Sequence, residues 1–132
     1  RARLGAYAEA GRCELVEGDF LRGVPRDADV YLLSRVLHNW SDEDVRAVLR
    51  NCREAMAPDG LVLIAERVLP DDGAPWLTAV LDAHMMVMTT GAERTEREYE
   101  ALLRSAGLTT RGIRDLPLEM RLLVAGPVDG GA

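Results

Sequence analysis

The stretch Val30–Leu69, VYLLSRVLHNWSDEDVRAVLRNCREAMAPDGLVLIAERVL, decides the fold. Val30 to Leu33 is a continuous apolar run, which suits a strand covered on both faces. Ser41 is a good N-cap, and Asp44 three residues on completes something close to a capping box. Behind that cap Val45, Val48, Leu49, Cys52 and Met56 recur at helical spacing and make one apolar stripe. Pro58-Asp59-Gly60 breaks the helix, and LVLIAERVL follows as a second buried strand. Strand, amphipathic helix, turn and strand form a βαβ unit, so a parallel pair with a right-handed crossover is predicted.

Working outward, RARLGAYAEA reads as a helix stopped by Gly11. Cys13 to Glu17 alternates apolar and polar, predicting a short strand that ends at Gly18-Asp19-Phe20. Pro25 and Asp27 mark the turn before Val30. Downstream, a Pro/Asp/Gly loop precedes a helix from about Pro75 to Thr89 that carries the run HMMVM. Thr95 with Glu98 forms another capping box, with Tyr99, Leu102, Leu103 and Ala106 as the stripe and Gly107 as the stop. Two strands, Leu108–Arg114 and Met120–Ala125, close the chain around Pro117.

With 132 residues there is room for one domain with a respectable core. Hydrophobic content of 48% beside 29% charged residues describes a globular chain rather than a disordered one. The net charge of -6 argues against nucleic acid, because phosphate binding wants a basic stripe and none is visible. No apolar run is long enough to span a bilayer, and no secretory pattern is present, so no membrane partner is expected. Cys13 and Cys52 both lie in apolar patterns, which predicts two buried free thiols and fits a reducing cytoplasm. His38 and His84 lack the carboxylate or thiol spacing of a metal site, so no metal is expected.

His38 stands where the first strand ends and the capped helix is about to begin. In a wound α/β protein such strand ends face the ligand crevice, where an imidazole can act as a general base. Taken alone it could equally fill a strand-to-helix corner. The same double reading holds nearby. Asp19 could cap a turn, Glu93 could favour a helix terminus, Trp40 could be a staple beside Ser41, and the methionines could be core. Glu66 is harder to dismiss, because a carboxylate at the end of an apolar strand needs a partner.

Five pieces in order, EGDF (17–20), SRVLHNWSDE (34–43), the helix closed by APDG, LIAERVLP (63–70) and GAERTEREYEALLRSAGL (91–108), resemble the S-adenosylmethionine-dependent small-molecule O-methyltransferases of plant phenolic and bacterial polyketide metabolism. The resemblance implies an α/β fold: residues 1–132 would form the C-terminal part of a Rossmann-like methyltransferase catalytic domain. That part holds strands 3 to 7 of a mostly parallel sheet ordered 3-2-1-4-5-7-6, without the first two strands and the glycine-rich loop. It implies His38 as catalytic base, with Glu66 and Glu93 flanking and orienting its ring. Asp19 and Phe20 would lie on the adenine side of the cofactor with Ser34 and Trp40. Met85, Met86, Met88 and Asn39 would face the acceptor. Ser34 stands where plant members carry lysine, and Asn39 replaces a common aspartate. The implied reaction is methyl transfer from S-adenosylmethionine to a hydroxyl of an aromatic or polyketide-like compound in secondary metabolism. A missing N-terminal segment or partner chain, and a homo-oligomer in full-length form, are implied with it. The alternatives are a non-catalytic binding module, or a repurposed hydroxylase, decarboxylase or pericyclase.

Overall fold

The computed structural model describes residues 11–70 and 91–128. In chain order the elements are β1 (Val30–Ser34), a single 3-10 turn (Leu37–Asn39), α1 (Asp42–Ala55), β2 (Leu61–Leu69), β3 (Arg94–Thr95), α2 (Glu96–Ser105), β4 (Leu108–Leu116) and β5 (Met120–Pro127). β1 and β2 pair in parallel, with Val30 opposite Leu61 and Ser34 opposite Ala65. β2 pairs antiparallel with β5 on its other side, and β5 with β4, so the sheet runs β1-β2-β5-β4. The short β3 adds in parallel to the end of β2, where Val68 faces Arg94 and Leu69 faces Thr95. The predicted βαβ unit and the two closing strands are therefore present, in the expected order.

Local chemistry explains the helices. The Ser41 hydroxyl accepts from the backbone N–H of Asp44 and donates to its carboxylate, satisfying one orphan donor of α1. Asp42, Glu43 and Asp44 in that first turn complement the positive end of the helix dipole. Thr95 and Glu98 form a complete capping box on α2. Gly107, at φ 75, ends that helix in the left-handed region that glycine enters without strain. The stripes Val45, Val48, Leu49 and Cys52 of α1 and Tyr99, Leu102 and Leu103 of α2 are all buried. They pack with Val62, Ile64 and Val68, which alternate on one face of β2, and with Leu108 and Leu123. Glu66 continues that alternation and so is carried onto the core face. The Cys52 thiol is pushed up to about 11 by burial, which leaves it inert at neutral pH.

Three expectations are corrected. Cys13–Glu17 is not a strand: Leu15 is 54% and Val16 63% exposed, and none of the described strands pairs with them. Alternation alone does not make a strand without a neighbouring ladder to take its backbone groups. Cys13 accordingly is only half-buried, although free like Cys52. β1, finally, is not covered on both faces, since Val30 is 48% and Leu32 62% exposed. The expected helix over residues 1–10 and the expected helix from about Pro75 to Thr89 lie outside the described residues. No helix of the described residues is long and apolar enough to cross a membrane.

Among the described residues β1 pairs with β2 alone, which leaves the backbone groups of its other edge unpaired there, beside exposed Val30 and Leu32. A polypeptide of these 132 residues is expected to self-associate through that edge, and Leu32→Lys to shift it toward monomer. Sedimentation velocity checks this; a monodisperse, stable monomer of the unaltered polypeptide would contradict it.

Candidate active site

The chain leaves β1 at Ser34 and turns sharply at Arg35, whose φ of 53 lies in the left-handed region. An arginine there stores some backbone strain, which persists only where the surroundings over-determine it. They do so here. The Arg35 N–H still donates to the Ala65 carbonyl at 3.0 Å, and the next residues curl into the 3-10 turn. That turn carries His38, 5% exposed, over the end of β2.

Two carboxylates lie beside one nitrogen of the imidazole. Glu66 Oε2 lies 3.3 Å and Glu93 Oε1 3.5 Å from His38 Nδ1. Glu66, fully buried, uses its other oxygen to accept the backbone N–H of Leu37 at 2.9 Å. Both acids thus lie beside the same ring nitrogen, although Glu66 Oε2 forms no hydrogen bond among the described residues. Their charge favours a proton at Nδ1, which leaves Nε2 as the basic atom. Burial lowers the His38 pKa, with Glu66 opposing and Arg35, Arg67 and Arg94 assisting. Burial raises that of Glu66, against the pull of His38 and of backbone N–H donors. Tyr99 packs beneath, fully buried, and desolvation with Glu66 nearby keeps its phenol protonated.

Beside the turn stands an aromatic wall. The rings of Phe20 and Trp40 meet edge to face, with centroids 5.3 Å apart and planes at 85°. Phe20 is placed by the loop that holds it. Its carbonyl accepts from Asn51 of α1 at 2.8 Å, and Tyr31 of β1 donates to the Pro25 carbonyl at 2.6 Å. Asp19 precedes it, exposed, accepting the Leu21 N–H at 3.0 Å and lying 3.5 Å from Arg22. Asp19 therefore does cap its own turn.

Of the residues expected from the sequence, the structure brings His38, Glu66 and Glu93 together and sets Phe20 against Trp40. Ser34 is exposed at the end of β1. Asn39 is on the His38 turn, but its amide nitrogen is directed to the backbone, 3.4 Å from the Val36 carbonyl and 3.5 Å from that of Arg35. Met85, Met86 and Met88 lie outside the described residues.

Sequence reasoning missed two participants. Arg94, 4% exposed, donates to the carbonyls of Leu37, Trp40 and Ala92 and pairs with Asp42. Gly91 packs so close that an added Cβ would overlap the His38 carbonyl oxygen and sit 2.6 Å from the Asn39 carbonyl carbon. The only prior signal was the run GAER itself, because a buried arginine declares itself through partners distant in sequence.

A family model for the O-methyltransferase domain matches residues 1–109. The chain is 44% identical over 121 residues to 3-amino-4-hydroxybenzoate 4-O-methyltransferase of Streptomyces cremeus, covering 91% of this chain and 33% of that protein. It is 40% identical over 127 residues to aclacinomycin 10-hydroxylase of Streptomyces purpurascens, covering 89% of this chain and 34% of that one. Among solved structures, mitomycin 7-O-methyltransferase superposes with a TM-score of 0.89 at 35% identity, over 96% of this chain and 38% of that chain. The chain spans about a third of the length of the relatives it matches.

Proposed function

This chain belongs to the O-methyltransferase domain family, and from that premise we propose that it is the C-terminal part of a catalytic unit that methylates a hydroxyl of a small aromatic acceptor. The carrying observation is the placement of both Glu66 and Glu93 on Nδ1 of His38. A binding module has no need of an imidazole oriented by two buried acids. S-adenosylmethionine is the methyl donor in this reading. The Phe20–Trp40 wall fits it, since an aromatic wall matches the flat face of adenine, with Asp19 on the same loop as Phe20. When bound, the cofactor supplies an electrophilic methyl on a cationic sulfur.

The residues of this chain do the rest. A phenol with an ordinary pKa of about 10 is a weak nucleophile at neutral pH. His38 Nε2 takes its proton as the oxygen attacks. The imidazolium so formed is stabilised by the charge of Glu66 and Glu93 beside Nδ1. The acceptor is an aromatic or polyketide-like hydroxyl compound, with Asn39, Met85, Met86 and Met88 as its contacts and Ser34 toward the cofactor. The complete protein is a cytoplasmic homo-oligomer of secondary metabolism, and its glycine-rich loop comes from an upstream segment or a partner chain. Labelled S-adenosylmethionine with a panel of hydroxybenzoates and hydroxyquinones tests the reading through label transfer to the acceptor.

The 40% identity to a hydroxylase supports a second reading, in which the same scaffold hydroxylates its substrate. Product mass separates the two, since methylation and oxygen insertion differ.

The acid limb of kcat/KM for the full-length protein is expected below the ordinary histidine value of about 6.5, because burial favours the neutral ring. Glu66→Gln should move that limb further toward acid, since Glu66 is the group that raises the His38 pKa. Turnover should fall by at least about tenfold as the ring loses an orienting charge. A pH–rate profile of both proteins checks this, and a limb displaced toward higher pH in Glu66→Gln would contradict it.

A further inference from the structure

We infer that Arg94 is a positioning residue for His38: its guanidinium fork bridges both ends of the histidine turn and ties them to the start of α1. This rests on the reading of His38 as the base.

A single 3-10 turn is a weak platform. It has few hydrogen bonds of poor geometry, here Asn39 N–H to the Val36 carbonyl at 3.2 Å and Trp40 N–H to the Leu37 carbonyl at 3.1 Å. Arg94 reinforces it from the side. Nη1 donates to the Leu37 carbonyl at 3.1 Å and Nη2 to the Trp40 carbonyl at 2.8 Å. Nε and Nη2 together grip Asp42 Oδ1, at 2.9 and 2.8 Å, in the first turn of α1. Nη1 also donates to the Ala92 carbonyl, at 3.2 Å. Leu37 is thereby held at both of its backbone polar groups, the N–H by Glu66 and the carbonyl by Arg94. His38 and Asn39 are the two residues between Leu37 and Trp40.

The neighbouring residues of the same segment share the task. Gly91 lets the backbone lie directly against that of His38 and Asn39, and Glu93 reaches Nδ1. A buried guanidinium is costly unless its donors are satisfied, and two of the acceptors spent on this one, the Leu37 and Trp40 carbonyls, flank the histidine. Its planar fork reaches acceptors on both sides of the turn at once, which an ammonium cannot do.

The test uses the full-length protein and Arg94→Lys, which keeps the charge and loses the fork. Amide exchange at Leu37 and Trp40 should accelerate at least tenfold relative to β2. The ¹⁵N spectrum of His38 should change from a single Nδ1-protonated tautomer to an averaged one. On the acceptor found in the panel, kcat should drop at least tenfold with KM within twofold. A lower melting temperature with exchange, tautomer and kcat unchanged would overturn the inference. Should Arg94→Lys not fold, the native protein decides. Leu37 and Trp40 amides as protected as those of β2 support the clamp, and exchange at the rate of an exposed turn refutes it. Full turnover in His38→Ala would sink the proton-transfer reading alone, because the exchange and tautomer measurements judge Arg94 without any substrate.

Discussion

Replacing His38 by alanine in the full-length protein is expected to lower methyl-transfer turnover by at least a hundredfold, within the roughly hundred- to ten-thousand-fold range of a positioned general base. At about 1.36 kcal/mol per tenfold, this is at least about 2.7 kcal/mol of barrier. The expectation rests on Nδ1 lying 3.3 and 3.5 Å from two buried carboxylates, an arrangement that stabilises the imidazolium once Nε2 has taken a proton. Affinity for S-adenosylmethionine should hardly change, because the aromatic wall of Phe20 and Trp40 is built by other contacts. Steady-state kinetics with calorimetric titration separate the two quantities. If turnover barely moves, alignment of the reacting atoms alone drives the reaction, and His38 has been given the wrong role.

The second large effect concerns the cofactor. A polypeptide of only these 132 residues is expected to bind S-adenosylmethionine at least about a hundredfold more weakly than the full-length protein. Within the sequence no glycine-rich loop joins a strand to a helix, the device that lets backbone amides approach such a ligand closely. Asp19, Phe20 and Trp40 can hold only one side. Losing two or three good hydrogen bonds, some to charged groups, costs on the order of 3–6 kcal/mol. At about 1.4 kcal/mol per tenfold, a micromolar site would become roughly millimolar or weaker. Calorimetry on both proteins measures the difference. Micromolar binding by the short polypeptide would mean that it completes the site with groups other than those named here.

The elements that were legible in the sequence are those written in neighbouring residues. Ser41 with its acidic first turn, the stripe from Val45 to Met56 and the Thr95–Glu98 box specify α1 and α2 through contacts within one or two turns. Parallel pairing of β1 with β2 followed, because strand–helix–strand has few other solutions. Cys13–Glu17 shows the limit of such reading. Its alternation is real, but a strand exists only with a partner for its backbone. The continuous apolar run of β1 likewise described a covered strand, whereas Val30 and Leu32 stand exposed.

For the site, the sequence by itself determined that His38 sits at a strand end and that Glu66, a carboxylate on an apolar strand, needs a partner. Its likeness to a known family supplied the roles. Only the tertiary structure decided that Glu66 and Glu93 address the same nitrogen, Nδ1, leaving Nε2 to act. It alone decided that Arg94 holds the Leu37 carbonyl from 57 residues away, and that Gly91 must lack a side chain. The reason is physical. Caps and stripes are local and leave a periodic record, whereas a polar cluster is assembled from separate strand ends whose pairing register no short stretch of sequence encodes.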